Sequence, residues 1–231
     1  MADQNILILG NKHYKNINLN AIVDSFDIIY RFNLACPGRN NGTRFGRLAM
    51  CSHVYKNFVS NPLSKKHIIE KYQSDYTAEF VSEWYDFFQE NKEKFDEIFY
   101  QECKKQQWNA MLGEYGSPHR FSKMATTGYS TIFKSLQDGN ENIYVFGFTL
   151  CDKEVRRTAG VNEKIVEWEN QGGGCHSFSE EIKILNWLHN NKKIDASLCM
   201  LEDIEEPTLK TNSYNVEPSE FVLDLLNRYK A

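Results

Sequence analysis

Short apolar runs separated by polar, asparagine- and glycine-bearing stretches set the pattern of the N-terminal part of the chain. Residues 6–9 (ILIL) and 26–30 (FDIIY) are rich in β-branched and aromatic residues and lack polar alternation, as strands covered on both faces do. A short helix predicted over 16–24 joins them into a β-α-β unit, whose strands lie parallel in one sheet. Residues 48–55 read as a third strand. Over 76–94, Phe80, Trp84, Phe87 and Phe88 recur at three- to four-residue spacing among Glu and Lys, which predicts a helix. Residues 96–101 (DEIFYQ) are either a further strand or the end of that helix. A helix through YSTIFKSLQ, with Thr127 as its N-cap, leads by a turn at Asp138-Gly139-Asn140 into a buried strand over 142–148 (NIYVFGF). Ser177 and Glu180 have capping-box spacing ahead of an amphipathic helix through Ile182, Leu185 and Leu188. A last amphipathic helix carries Phe221, Leu225 and Tyr229, and docking on the core is its expected role.

These elements predict the α/β class: one Rossmann-like domain over residues 1–231, with a mostly parallel sheet flanked by helices. The segment 76–123 is its one candidate insertion, and the aromatic stripe there serves either core packing or a sugar-binding lid.

Charge narrows the partners. With 27 basic and 31 acidic side chains the formal net charge is −4, and the basic excess of a nucleic-acid footprint is missing. No apolar stretch approaches the roughly 20 residues of a membrane span, so a soluble, cytoplasmic protein is expected. Six cysteines form no Cys-x-x-Cys and no regular framework, which predicts free thiols rather than disulfides or a zinc site. Cys175 precedes His176, but sequence neighbours rarely present their side chains to each other, so a cysteine nucleophile is not favoured.

Ligands of parallel sheets collect outside the carboxyl ends of the strands. Asn11 and Asn33 each lie just past such an end, as either neutral donors to a phosphate or turn residues. The loop Arg39-Asn40-Asn41-Gly42-Thr43-Arg44 has the polar, glycine-bearing character of a ligand-approaching loop. The amides at the start of the helix capped by Thr127 form an electropositive seat for a carboxylate or phosphate. Gly172-Gly173-Gly174-Cys175 allow close backbone approach, and His176 just after them is either a proton acceptor or a packing residue.

Taken in order, these segments resemble the motifs of the eukaryotic-type sialyltransferases, glycosyltransferases that use CMP-sialic acid. The large motif is similar to ILGN, Asp24-Ser25-Phe26-Asp27-Ile28-Ile29-Tyr30-Arg31-Phe32-Asn33 and Gly42-Thr43-Arg44. The small motif is similar to Ala125-Thr126-Thr127-Gly128 followed by NIYVFGF, and the very small motif to His176 and Glu181. The resemblance covers about 5–55 and 124–190.

It implies a Rossmann-like variant of the GT-A arrangement and an inverting transferase that needs neither a cofactor nor a metal. That last implication agrees with the lack of an Asp-x-Asp triplet. In the donor site it implies Gly10, Asn11 and Asn33 at the CMP phosphate and ribose, and Thr126, Thr127 and Gly128 at the donor carboxylate and nucleotide. Gly147, Phe148 and Thr149 would border the cytidine, and His176 would be the general base. The acceptor would be a glycan or glycolipid hydroxyl.

Three departures stand out. Val166 replaces the leading His of the third motif in Val166-Glu167-Trp168-Glu169-Asn170. The cysteine pair that links the large and small motifs has no counterpart, and neither does the membrane anchor. A bacterial-type enzyme of lipopolysaccharide or capsule synthesis, in peripheral contact with the inner membrane, is the matching expectation. Two rivals stay open: transfer of Kdo, legionaminate or pseudaminate from CMP, and a non-catalytic nucleotide- or glycan-binding module.

Overall fold

The computed structural model describes residues 4–11, 14, 16–35, 40–148, 176–201 and 217–230. Arg39, Thr149, Val166 and the rest of its motif, the glycines of 172–174, and Cys36, Cys151 and Cys175 lie outside these residues, as does the side chain of Tyr229.

Five strands form an all-parallel sheet: β1 (Ile6–Leu9), β2 (Ile28–Phe32), β3 (Arg47–Met50), β4 (Glu97–Tyr100) and β5 (Ile143–Phe146), in the order β4-β3-β2-β1-β5. This is the Rossmann-like α/β architecture expected from the sequence. The first four strands progress toward one edge, and the chain then returns to place β5 on the other side of β1. The order therefore reverses between β1 and β5, the switch point where open parallel sheets bind ligands.

Eight α-helices flank the sheet among the described residues: α1 (Asn20–Asp24), α2 (Ser52–Tyr55), α3 (Lys65–Tyr72), α4 (Ala78–Asn91), α5 (Lys105–Glu114), α6 (Thr127–Gln137), α7 (Phe178–Asn190) and α8 (Glu220–Lys230). On one face, Ile6, Ile8, Phe32, Ala49, Ile143 and Val145 pack against apolar residues of α5, α6 and α7. On the other, Leu7, Leu9, Ile29 and Phe146 pack against α1 and α8, while Leu48 and Met50 pack against α2, α3 and α4. Burial on both faces explains why the strands are continuous apolar runs.

Several expectations change in detail. The third strand ends at Met50, and 52–55 turn at once into α2, followed by a π-helical segment, Lys56–Ser60. Half of the aromatic stripe of α4 faces inward, while Phe80 and Phe87 stay partly exposed. Trp84 and Phe88 are buried with Phe58, whose ring meets Trp84 edge-on at 4.7 Å, so these two rings belong to the core rather than to a lid. The tail helix docks on the core as expected, through Val222, Leu225 and Leu226, with Phe221 4.5 Å from the Tyr144 ring.

Candidate functional site

The carboxyl ends of β1 and β5 are pinched together by two glycines. Gly10 N–H donates to Phe146 O at 2.7 Å, and a Cβ on Gly10 would lie 2.4 Å from Gly147 O. Gly147 takes a φ of +69°, which a side chain would strain. This closeness seats the ring of Phe148, which would touch a Cβ on Gly10 at 2.9 Å and one on Gly128 at 2.6 Å. Phe32 and Tyr129 meet the same ring edge-on at 6.1 and 5.7 Å. A side chain at Gly10 is thus excluded first by the Gly147 backbone and then by Phe148, and one at Gly128 by Phe148, at the mouth of the switch-point crevice.

Asn11 and Asn33 tie adjacent strand ends together. Asn11 Nδ2 donates to Phe32 O at 3.3 Å, joining β1 to β2. Asn33 adopts a left-handed φ of 49°, its N–H donates to Ala49 O at 3.0 Å, and its Oδ1 accepts Cys51 N–H at 2.8 Å, joining β2 to β3. Asn33 lies in a turn, and each of the two side chains holds a neighbouring strand end. The Cys51 bond also fixes the amide of Asn33, so that Nδ2 is the donor left for a ligand.

Opposite them lies the start of α6. Thr126, one residue earlier than expected, is its N-cap: its hydroxyl accepts Tyr129 N–H at 3.5 Å. Thr127 is therefore the first helical residue, and it is buried. The carboxylate of Glu181, 3% exposed, accepts Thr126 N–H at 2.7 Å and the Thr126 hydroxyl at 3.3 Å, while Tyr129 donates its hydroxyl to Glu181 O at 2.7 Å. A protein carboxylate already occupies one side of the expected anion seat, where the helix dipole favours it. An incoming anion would meet the Thr127 and Gly128 amides, and in this conformation both residues are buried, Gly128 beneath Phe148.

Three alternate residues of the segment before α6 are held by the start of α7. Ser122 N–H donates to Glu180 Oε2 at 2.9 Å, Met124 O pairs with His176 Nδ1 at 2.8 Å, and Thr126 pairs with Glu181. The capping box does not form, since the Ser177 side chain makes no cap hydrogen bond and Glu180 reaches across to Ser122 instead. Burial pushes the Glu180 carboxyl up, but the Ser122 bonds outweigh it, with help from Ser177 and Lys183, and hold it below the usual carboxylate range. A carbonyl can only accept, so Nδ1 of His176 carries a proton, and in the neutral ring the lone pair is on Nε2.

The Gly42-Thr43-Arg44 loop is clamped by its own hydrogen bonds. Arg31, wholly buried, donates to the carbonyls of Phe45, Asn41 and Arg44, and Asp24 accepts from Thr43 N, Thr43 Oγ1 and Arg44 N. Arg44 returns the contact through the carbonyls of Asp24, Phe26 and Asp27. Gly42 has a φ of +92° and lies against Val23. The spaced pair Asp24 and Arg44 is the sequence signal of this clamp.

Sequence reasoning missed the pair of Cys51 and His53 at the end of β3. Cys51 Sγ lies 3.4 Å from His53 Nδ1, the spacing of a thiol–imidazole dyad. Burial pushes the thiol up to about 11, so it stays protonated near neutral pH and is not an activated nucleophile. Burial likewise lowers the His53 imidazole pKa, with Lys71 adding to the effect and Asp75 opposing it. Among the described residues no three His, Cys, Asp or Glu side chains are placed to hold a metal ion, and no helix is long and apolar enough to cross a membrane.

The fold and these side chains define an α/β protein with a candidate ligand site at the carboxyl edge of a parallel sheet. The sequence matches no protein-family model and no curated protein.

Proposed function

We propose that the protein is a metal-independent, inverting glycosyltransferase that moves a sialic or related ulosonic acid from a CMP donor to a glycan or glycolipid hydroxyl. The observation that carries this reading is the His176–Met124 bond of 2.8 Å, which brings an imidazole to the start of α6, beside Thr126, Thr127 and Gly128. The histidine and the threonine–glycine segment are about fifty residues apart in sequence, and the reading requires them to meet.

A CMP-ulosonate has a quaternary anomeric carbon between a carboxylate and a phosphate leaving group. The anomeric C–O bond breaks with its electron pair leaving on the CMP phosphate, through an oxocarbenium-like transition state. The acceptor oxygen attacks from the opposite face, its proton passes to His176 Nε2, and the configuration inverts. Asn33 Nδ2 and the α6 amides are neutral dipoles suited to the departing phosphate and the donor carboxylate. Asn11 reaches the same edge from β1, and Phe148 offers an apolar face for the cytosine at the switch point. No charged side chain is needed for the leaving group in this scheme, which accommodates the loss of the third-motif histidine at Val166.

The test is a thermal-shift panel of CMP, UDP, GDP, NAD and S-adenosylmethionine in the presence of EDTA. A ligand that binds the native state raises the midpoint by mass action. A shift with CMP alone is the expected result, and a selective shift with any of the other four overturns the reading. The CMP-linked rivals Kdo, legionaminate and pseudaminate share this seat and are separated by turnover of each donor. Binding of CMP without turnover of any of them would leave a nucleotide-binding module.

A further inference from the structure

The carboxyl edge has a second wall, which the donor chemistry above does not use. β3 ends at Met50 and α2 begins at Ser52, so the start of α2 faces the same edge as the start of α6. α2 runs directly into the π-helical segment Lys56–Ser60, a form that recurs at functional sites. Behind it, buried Asn57 donates to Tyr72 Oη at 3.0 Å and Tyr72 donates to His53 O at 3.3 Å, which fixes the first turn of α2.

Three rings stand on this rigid base. His53 is exposed and stacks on Tyr72 with centroids 6.0 Å apart. Tyr55 is half-buried and pairs with Tyr100 at 6.3 Å. Tyr100, at the end of edge strand β4, is 46% exposed and is one of only three large apolar side chains so exposed among the described residues. Single exposed apolar residues are ordinary, but a paired, supported set at the ligand-binding edge of a sheet is not.

The wall is joined to the donor side by the bond from Cys51 N–H to Asn33 Oδ1. Its charge is balanced locally, since Lys104 pairs with Glu102 at 3.1 Å beside Tyr100. Aromatic faces with polar tips, beside a paired Lys and Glu, suit the apolar C–H face of a neutral sugar ring, whose hydroxyls reach the phenol and imidazole groups.

We infer that the acceptor is a neutral pyranoside glycan seated on Tyr55 and Tyr100, with His53 at its rim. This rests on the transferase reading and names the acceptor class for the same site.

The experiment uses the full chain, the CMP-ulosonate it turns over, and methyl β-galactopyranoside, methyl α-glucopyranoside and lactose as acceptors. Donor hydrolysis without acceptor, acceptor KM, and saturation-transfer NMR of the pyranosides are all measured. For Tyr100→Ala the acceptor KM is expected to rise about threefold to tenfold, the loss of one stacking partner, with donor hydrolysis unchanged. Tyr100→Phe keeps the ring and is expected to keep the KM. An unchanged KM in both Tyr100→Ala and Tyr55→Ala overturns the inference. So does donor hydrolysis without binding of, or transfer to, any of these pyranosides. A protein that neither hydrolyses nor transfers any CMP-ulosonate fails at the transferase reading itself, a distinguishable result that removes the acceptor assignment with it.

Discussion

The buried carboxylate of Glu181 holds Thr126 at two atoms, the backbone N–H at 2.7 Å and the hydroxyl at 3.3 Å. It locks the start of α7 to the start of α6, and with them the loop whose Met124 carbonyl orients His176. Glu181→Ala leaves a buried N–H unpaired, and hydrogen bonds to charged groups contribute about 1.5–3 kcal/mol, so a drop in unfolding midpoint of roughly 5–10 °C is expected by calorimetry. Glu181→Gln keeps an acceptor for Thr126 N–H and should lose less. Equal losses in the two variants would mean that the contact is not what holds the helices.

Asn33 separates structure from ligand binding within one side chain. Its Oδ1 serves Cys51 N–H and its φ is left-handed, a region that Asp also tolerates. Asn33→Asp keeps the acceptor but removes the Nδ2 donor and adds a charge beside the phosphate. CMP affinity is expected to fall by about tenfold or more, the equivalent of roughly 1.4 kcal/mol, while the unfolding midpoint stays near that of the parent. Isothermal titration with CMP and a thermal scan on the same sample decide this, and a variant that binds CMP normally removes Asn33 from the donor site.

Gly128 and Phe148 should behave as a coupled pair. A Cβ at Gly128 would lie 2.6 Å from Phe148 Cζ, so Gly128→Ala is an overpacking change that costs roughly 1–3 kcal/mol. Adding Phe148→Leu should recover a large part of that loss, a non-additivity readable in a double-mutant cycle of denaturant midpoints. Strict additivity would place the ring elsewhere in solution.

The Asp24 clamp sets an acid limit. Burial raises the Asp24 carboxyl, but the bonds from Thr43 and Arg44 and the charge of Arg31 outweigh this, and the net shift is below the ordinary 3.8. A carboxyl lowered in the folded state adds stability that is complete above its unfolded value and is lost as pH falls through the folded one. Asp24→Asn should therefore flatten the fall in stability below pH 3.8, measured by denaturant midpoints across that range. An unaltered acid profile would show that other carboxylates set the limit.

The sheet was legible because parallel strands buried on both faces must be written as unbroken apolar runs, and Ile6–Leu9 and Ile143–Phe146 are such runs. The details that escaped depend on tertiary contacts with no local signature. Residues 52–55 look like a continuation of β3 because Val54 and Tyr55 suit strands, yet they turn into α2. Glu180 has capping-box spacing but finds a better partner in Ser122, 58 residues away in sequence. Arg31 is buried among the carbonyls of a loop ten to fourteen positions on, a role that no local pattern announces. In the site, the spacing of His176 and Glu181 carried information, since both side chains reach the segment before α6. The pairing of Tyr55 with Tyr100 could not be read, because the two rings come from elements 45 positions apart.

Real-time proton NMR of CMP-sialic acid and CMP-Kdo with the purified protein, in EDTA and with a pyranoside acceptor present, tests the central claim most directly. The account predicts release of CMP together with a new glycoside of inverted anomeric configuration, and loss of that product in His176→Ala while CMP still binds. Full turnover by His176→Ala, or a product that forms only after a divalent metal is restored, would contradict it.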